Sequence, residues 1–194
     1  MNELLQKFNE YRDISNYQIK YILVNQDIIA FKLKQTNFPH LIGLHKLVDI
    51  PLIGQFNDVS NSTVSAKFLI SKIKKESQLT EKIIKKSVYF PEICDRYQRF
   101  SKENILTLTY TDAIVEFNAS LVGSKLHGDC ILFEKQKPQG YNYLSIAKDT
   151  QQKRYIETFF YSQTDNYLRN QKIIKVKKVE IYDNYGKLFL EDYL

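Results

Sequence analysis

The hydrophobic positions change period twice along the chain. Leu4, Leu5 and Phe8 recur at helical spacing within residues 3–12. Tyr17–Val24 and Asp27–Leu33 then carry β-branched and aromatic residues on either side of a polar Asn25-Gln26 pair. That order predicts a helix followed by a β-hairpin. In FPHLIGLHK (38–46), Pro39 bars backward extension of a helix and Gly43 permits a sharp bend between apolar anchors, so a structured turn is expected. From Ser62 a Ser/Thr cap precedes Ala66, Leu69, Ile70 and Ile73, which line one helical face opposite a row of lysines. Helical turns continue through Thr80–Ser87 and, after Pro91, through Glu92–Phe100.

Beyond Ala113 the period becomes that of strands. Ala113–Phe117, Asp129–Phe133, Tyr143–Ile146, Arg154–Ser162 and Ile173–Tyr182 are separated by turn-forming sequence such as Lys137-Pro138-Gln139-Gly140. In the last of them Ile174 and Val176 share a face, yet Val179 and Ile181 carry the apolar phase onward. The one-residue slip predicts a β-bulge at Lys177-Lys178. TDNYLRNQ (164–171) reads as a short helix capped by Thr164. Strands, helices and strands again argue for an α+β fold with helices packed on one face of a mainly antiparallel sheet. The expected organisation is one domain over 1–194, with a helical middle at roughly 62–108 and a sheet at roughly 112–190.

Composition narrows the class. With 194 residues and 43% apolar content the chain can bury a real core, and 6 Gly plus 4 Pro leave no room for a flexible linker. No apolar run approaches the ~20 residues of a membrane helix. The opening MNELLQKFNEYRD carries acids where a secretory signal would be apolar, so export and membrane insertion are not expected. Cys94 and Cys130 are too few for a disulfide scaffold, and the expected location is a reduced, cytoplasmic compartment. Charge is concentrated in two stripes. Residues 62–88 carry seven lysines against Glu76 and Glu81, and residues 167–182 carry Arg169, Lys172, Lys175, Lys177 and Lys178 against Glu180. With 14 Tyr and 12 Phe, such stripes suit a surface that neutralises phosphate and stacks bases, and equally suit ordinary solvated helix faces.

Most catalytic signatures are missing. Gly123-x4-Gly128 is followed by Asp129 where a P-loop needs Lys, and neither G-x-G-x-x-G nor G-x-S-x-G occurs in the required setting. His40, His45 and His127 form no H-E-x-x-H pair, so no metal or other cofactor is expected. RNA cleavage needs none, because the ribose 2′-hydroxyl is itself the nucleophile. A base, a cation for the phosphoryl oxygens and an acid for the leaving 5′ oxygen suffice.

FPHLIGLHKL (38–47), the capped run from Thr63, SKLHGDCILFEK (124–135) and KRYIETFFYSQTDNYLRNQKIIKVKKVEI (153–181) together resemble the phage-associated nucleases of the barnase/EndoU/colicin/RelE-like (BECR) superfold, fourth phage subgroup. The resemblance spans most of the chain and is strongest at the His-Leu-x-Gly turn and the Glu-Thr-Phe-Phe strand. It implies a metal-independent endoribonuclease of phages and mobile elements, acting as a toxin or anti-phage effector. Its partners would be RNA, such as tRNA or mRNA, and an antitoxin or immunity protein. The rival reading is a catalytically inactive RNA- or protein-binding module of the same fold.

His40 matches the family's turn histidine and would serve as general acid or base; a cap bonding the backbone of Leu41–Leu44 is the structural alternative. His45 reads as a surface residue. Strict alternation along 154–162 puts Arg154, Ile156, Thr158, Phe160 and Ser162 on one face and Tyr155, Glu157, Phe159 and Tyr161 on the other. Glu157 between aromatics is one candidate base. Arg154 with Thr158, a phosphate clamp with a hydroxyl donor, is the competing constellation, and both sets cannot line one site. Tyr167 and Lys172 flank the last strand, where they either stack a base and hold a phosphate or pack on the sheet. Lys125 and Lys175 complete the candidate phosphate contacts.

Overall fold

The computed structural model describes residues 2–57, 65–75, 78–106, 110–136 and 138–194. Ser62, Thr63 and Lys137 lie outside them. The described chain is α+β and groups into two compact units. One comprises Met1–Ser15 and Lys34–Asn104, the other Asn16–Leu33 and Ile105–Leu194. No described helix is long and apolar enough to cross a membrane.

The first unit is helical. α1 (Glu3–Ile14) buries Leu4, Phe8, Tyr11 and Ile14 at the spacing of one face. α2 (Phe38–Leu41) follows, then α3 (Pro51–Asn57), α4 (Ala66–Lys74), α5 (Glu81–Ile84), α6 (Phe90–Arg99) and α7 (Lys102–Leu106), whose last two residues belong to the second unit. The anchor is Phe38. Its ring centroid lies 5.3 Å from Phe8, 5.9 Å from Tyr11 and 5.5 Å from Phe100, in the tilted and edge-on arrangements that aromatic quadrupoles favour. α4 is capped by Ser65, whose hydroxyl oxygen accepts from the Phe68 N–H at 3.3 Å. Of the four residues that the periodicity marks, Leu69, Ile70 and Ile73 are buried and Ala66 is half-buried. Pro91 sits in the first turn of α6 instead of preceding the helix, since a missing N–H costs nothing there. Helical structure also begins earlier than residue 62, with the Phe38–Lys46 turn wound into α2 and a 3-10 turn at Leu44–Lys46.

The second unit is a mainly antiparallel sheet. Its strands are β1 (Gln18–Leu23), β2 (Ile28–Lys32), β3 (Asp112–Val115), β4 (Cys130–Lys135), β5 (Tyr141–Lys148), β6 (Arg154–Ser162), β7 (Ile173–Tyr182) and β8 (Leu188–Tyr193). They are ordered β2-β1-β7-β3-β4-β5-β6, with β8 also paired to β7. The N-terminal hairpin therefore belongs to the C-terminal sheet, a long-range pairing that local pattern does not reveal. β2 comes close to β6, where the Arg154 guanidinium donates to the Ile28 carbonyl at 3.1 Å, so the sheet nearly closes. β8 escapes the sequence reading. The short segment 164–171 forms only a 3-10 turn at Asn166–Leu168, and Thr164 does not cap it. The Thr164 N–H is itself spent on the Ser162 hydroxyl.

Two extra residues decide which side chains face inward. On β7, Leu23 pairs with Val176 and Ile22 with Lys178, so Lys177 is the bulged residue and the expected phase slip is present. Val176, Val179 and Ile181 can then all point into the core. On β6, Ser145 of β5 pairs with Thr158 while Ile146 pairs with Ile156, so Glu157 is a second bulge. Because directly opposed residues share a face, the strict alternation expected for 154–162 fails here. Arg154 and Ile156 lie with Lys148 and Ile146, on the inner side that Leu144 and Phe159 continue. Thr158, Phe160 and Ser162 lie with Ser145, Tyr143 and Tyr141 on the outer side. The Arg154/Thr158 constellation does not exist, since the bulge sends the two side chains to opposite faces.

Glu157 uses its displaced position to hold the loop before β4. Its Oε1 accepts from the His127 N–H at 2.8 Å, and its Oε2 accepts from the Gly128 N–H at 2.9 Å and the Ser145 hydroxyl at 2.8 Å. Gly128 is pressed so closely to the sheet that a Cβ would stand 2.2 Å from the Ser145 Oγ and 2.9 Å from the Ile146 carbonyl oxygen. Gly128→Ala must push this loop off the sheet and weaken the Glu157 clamp. A loss of roughly 1–3 kcal/mol is expected, read as a lower melting temperature by circular dichroism, with Gly123→Ala, which meets nothing within 4 Å but has φ of +62°, as the strained but uncrowded comparison.

Candidate functional site

The helical unit brings together what the sequence reading left apart. Gly43 has φ of +85°, a backbone conformation open mainly to glycine, and it separates α2 from the Leu44–Lys46 turn. Leu41, Ile42, Leu44 and Leu47 around it are fully buried. With the apolar residues turned inward, His40 and His45 emerge on either side of the glycine with ring centroids 5.1 Å apart. The Phe56 ring of α3 lies 5.3 Å from His40. α6 presses against the same turn, because a Cβ on Gly43 would meet Ile93 Cγ2 at 2.9 Å and Arg96 Cδ at 3.2 Å. Arg96 therefore crosses the glycine and sets its cationic head close enough to act on the His45 charge.

Electrostatics follow from this packing. Burial is the largest influence on His45 and, with the charges of His40, Arg96 and Lys46, lowers its pKa from 6.5 to about 4. His40 keeps an exposed edge, and the part of its ring covered by protein lowers its pKa as well. Both imidazoles are thus predominantly neutral at pH 7, each with one nitrogen able to accept a proton. Lys46 is exposed beside them. The alternative capping role for His40 is not present among the described residues, where its neighbours are the rings of His45 and Phe56. His45, read from sequence as an ordinary surface residue, is a half-buried member of the cluster. Its only sequence signal is its position two residues after a glycine that His40 precedes by three.

The other sequence candidates all lie in the sheet unit. Glu157 has its carboxylate occupied by the three donors already described. Arg154 reaches Ile28 O and stands 3.6 Å from Asp129, whose Oδ2 also takes Lys148 at 2.9 Å. Thr158 is buried, its hydroxyl 3.5 Å from the Phe159 carbonyl. Lys175 is paired with Asp112 at 2.7 Å. Tyr167 packs at 4.8 Å from Phe160 and 5.3 Å from Tyr143, which is sheet packing. Lys125 and Lys172 are exposed. Cys130 is buried, which pushes its thiol up to about 12 and leaves it protonated, while Cys94 is also a free thiol. Among the described residues no three His, Cys, Asp or Glu side chains gather as metal ligands do.

Compared with known proteins, the chain matches no family model, no curated sequence and no solved structure.

The depressed His45 pKa fixes a pH dependence. The unfolded chain takes up this proton near 6.5 and the folded protein only near 4, so stability is lost as pH falls through that window. The slope from this residue is at most about 1.4 kcal/mol per pH unit. His45→Asn should flatten it, measured as melting temperature against pH from 7 to about 4, and an unchanged slope contradicts the buried neutral imidazole. Gly43→Ala should separate the two histidines from Arg96, with a loss on the order of 1–3 kcal/mol from left-handed strain and overpacking.

Proposed function

We propose that this protein is a metal-independent endoribonuclease and that the turn carrying His40 and His45 is where it cuts. The observation that carries the reading is the pair of imidazoles 5.1 Å apart with Arg96 and Lys46 beside them. His45, neutral throughout the physiological range, accepts the proton of a ribose 2′-hydroxyl. The 2′ oxygen attacks the adjacent phosphorus, and a 2′,3′-cyclic phosphate forms as the bond to the 5′ oxygen breaks. His40, whose pKa rises when an anionic phosphodiester lies against it, supplies the proton that this leaving oxygen takes. Arg96 and Lys46 stabilise the charge that builds on the non-bridging oxygens. The resemblance to phage-associated nucleases supports the same chemistry, with a role as a toxin or anti-phage effector and an antitoxin or immunity protein as partner.

A second reading, an RNA- or protein-binding module without catalysis, is favoured by the sheet unit. Glu157, Arg154 and Lys175 are all committed to internal partners. A carboxylate accepting three hydrogen bonds serves as a structural clamp first.

Total RNA incubated with the protein and excess chelator separates the two. Discrete fragments ending in cyclic phosphate are expected. His40→Ala and His45→Ala should each slow cleavage by roughly 10²–10⁴-fold while the folded fraction stays high. Glu157→Gln, tested beside them, should act through stability alone. Undiminished cleavage by the variant lacking both histidines would remove the cutting site from this turn, and absence of cleavage by the unsubstituted protein would leave only the binding reading.

A further inference from the structure

The outer face of the sheet is laid out in cross-strand rows. One row runs Lys175, Asp112, Phe133, Tyr143 and Phe160 across β7, β3, β4, β5 and β6. Its aromatic part is continuous, with Tyr143 stacked on Phe160 at 5.0 Å and 16° between ring planes, and Phe133 6.0 Å from Tyr143. The next row toward the strand ends is Lys135, Tyr141 and Ser162. Tyr141 reaches back to Tyr143 at 5.9 Å and to Phe133 at 6.2 Å. Tyr143 and Phe133 are buried, but Tyr141, Phe160, Tyr167 and Ser162 remain half-exposed and Lys135 is exposed. The two rows differ in charge. Lys175 is neutralised by Asp112, whereas the outer row holds a cation, an aromatic ring and a hydroxyl with no acid among them.

We propose that the Lys135–Tyr141–Ser162 row, with the edges of Phe160 and Tyr167, is a stacking platform for single-stranded RNA outside the cleavage turn. This rests on the reading of RNA as the substrate and names how the sheet unit would hold it. The chemistry favours a nucleic acid over a protein strand. An aromatic face and a neighbouring ammonium match a base followed by its phosphate, repeated along a strand without sequence demands. A protein strand on the same row would need its own carboxylate placed opposite Lys135, whereas every nucleotide of RNA brings a phosphate. Tyr141 offers its ring to a base, Lys135 meets the flanking phosphate, and the Ser162 hydroxyl can bond a ribose or phosphate oxygen.

The test uses the full chain carrying His40→Ala and His45→Ala, so that the ligand is not consumed. Its probe is a fluorescein-labelled oligouridylate of about 12 nucleotides, comparable to the ~4–16 that such platforms cover. Tyr141→Leu should weaken binding about tenfold, a typical loss for one stacked base, while Tyr141→Phe, which keeps the ring, should bind like the parent. Lys135→Gln should reduce the slope of log affinity against log salt by about 0.7, the value for one phosphate contact on a single strand. Parental affinity and salt slope in both Tyr141→Leu and Lys135→Gln overturn the platform, as does failure of the parent to bind oligouridylate. If the unsubstituted protein does not cleave RNA yet Tyr141-dependent binding holds, the nuclease reading alone falls. If it cleaves and these variants bind unchanged, the platform alone falls.

Discussion

The left-handed glycine at 43 is the constraint on which the helical unit's chemistry depends. Its φ of +85° reverses the chain between α2 and the following 3-10 turn, and its missing Cβ lets Ile93 and Arg96 of α6 settle directly on the backbone. One position thereby sets three side chains: two imidazoles from the turn and one guanidinium from the helix across it. Phe38 secures the other end. Buried completely among Phe8, Tyr11 and Phe100, it fixes α2 so that the residue two positions later projects outward. The local sequence FPHLIGLHK is therefore apolar wherever the turn needs anchoring and polar where it meets water.

In the sheet unit the corresponding role belongs to bulges. Lys177 and Glu157 each add one residue to a strand, and each addition reverses the facing of everything beyond it. The first keeps Val176, Val179 and Ile181 in the core. The second turns a carboxylate out of the regular ladder and onto two backbone N–H groups of the 124–129 loop. Both are polar residues placed where the apolar phase must slip, and the second also holds the loop before β4 against part of the outer face.

Legibility from sequence followed the range of the interactions. The strands Arg154–Ser162 and Ile173–Tyr182 were readable to their ends, and the Lys177 slip was visible because apolar residues on both sides of it declared their phase. The Glu157 bulge was hidden, since aromatic and polar residues alternate on both faces of that strand and either phase looks plausible. Strict alternation therefore places Arg154 and Thr158 on a face they do not share. β8 was missed because its apolar residues are largely exposed and its partner is needed to make it a strand. His40 was marked by its turn, but His45 and Arg96 were not. Their proximity depends on α6 docking on Gly43, a contact between residues some fifty positions apart that no local pattern encodes.

Under the proposed function His40 and His45 form one proton-transfer site that receives a phosphodiester. Titration of the two imidazoles by nuclear magnetic resonance, alone and with a dinucleotide whose 2′-hydroxyl is replaced by hydrogen, tests it most directly. His45 should titrate near 4 and His40 below 6.5 in the free protein, and both should move upward when the uncleavable analogue binds, because a nearby anion favours the imidazolium. A His45 that titrates at its ordinary value, or a pair of resonances indifferent to the analogue, would contradict the account.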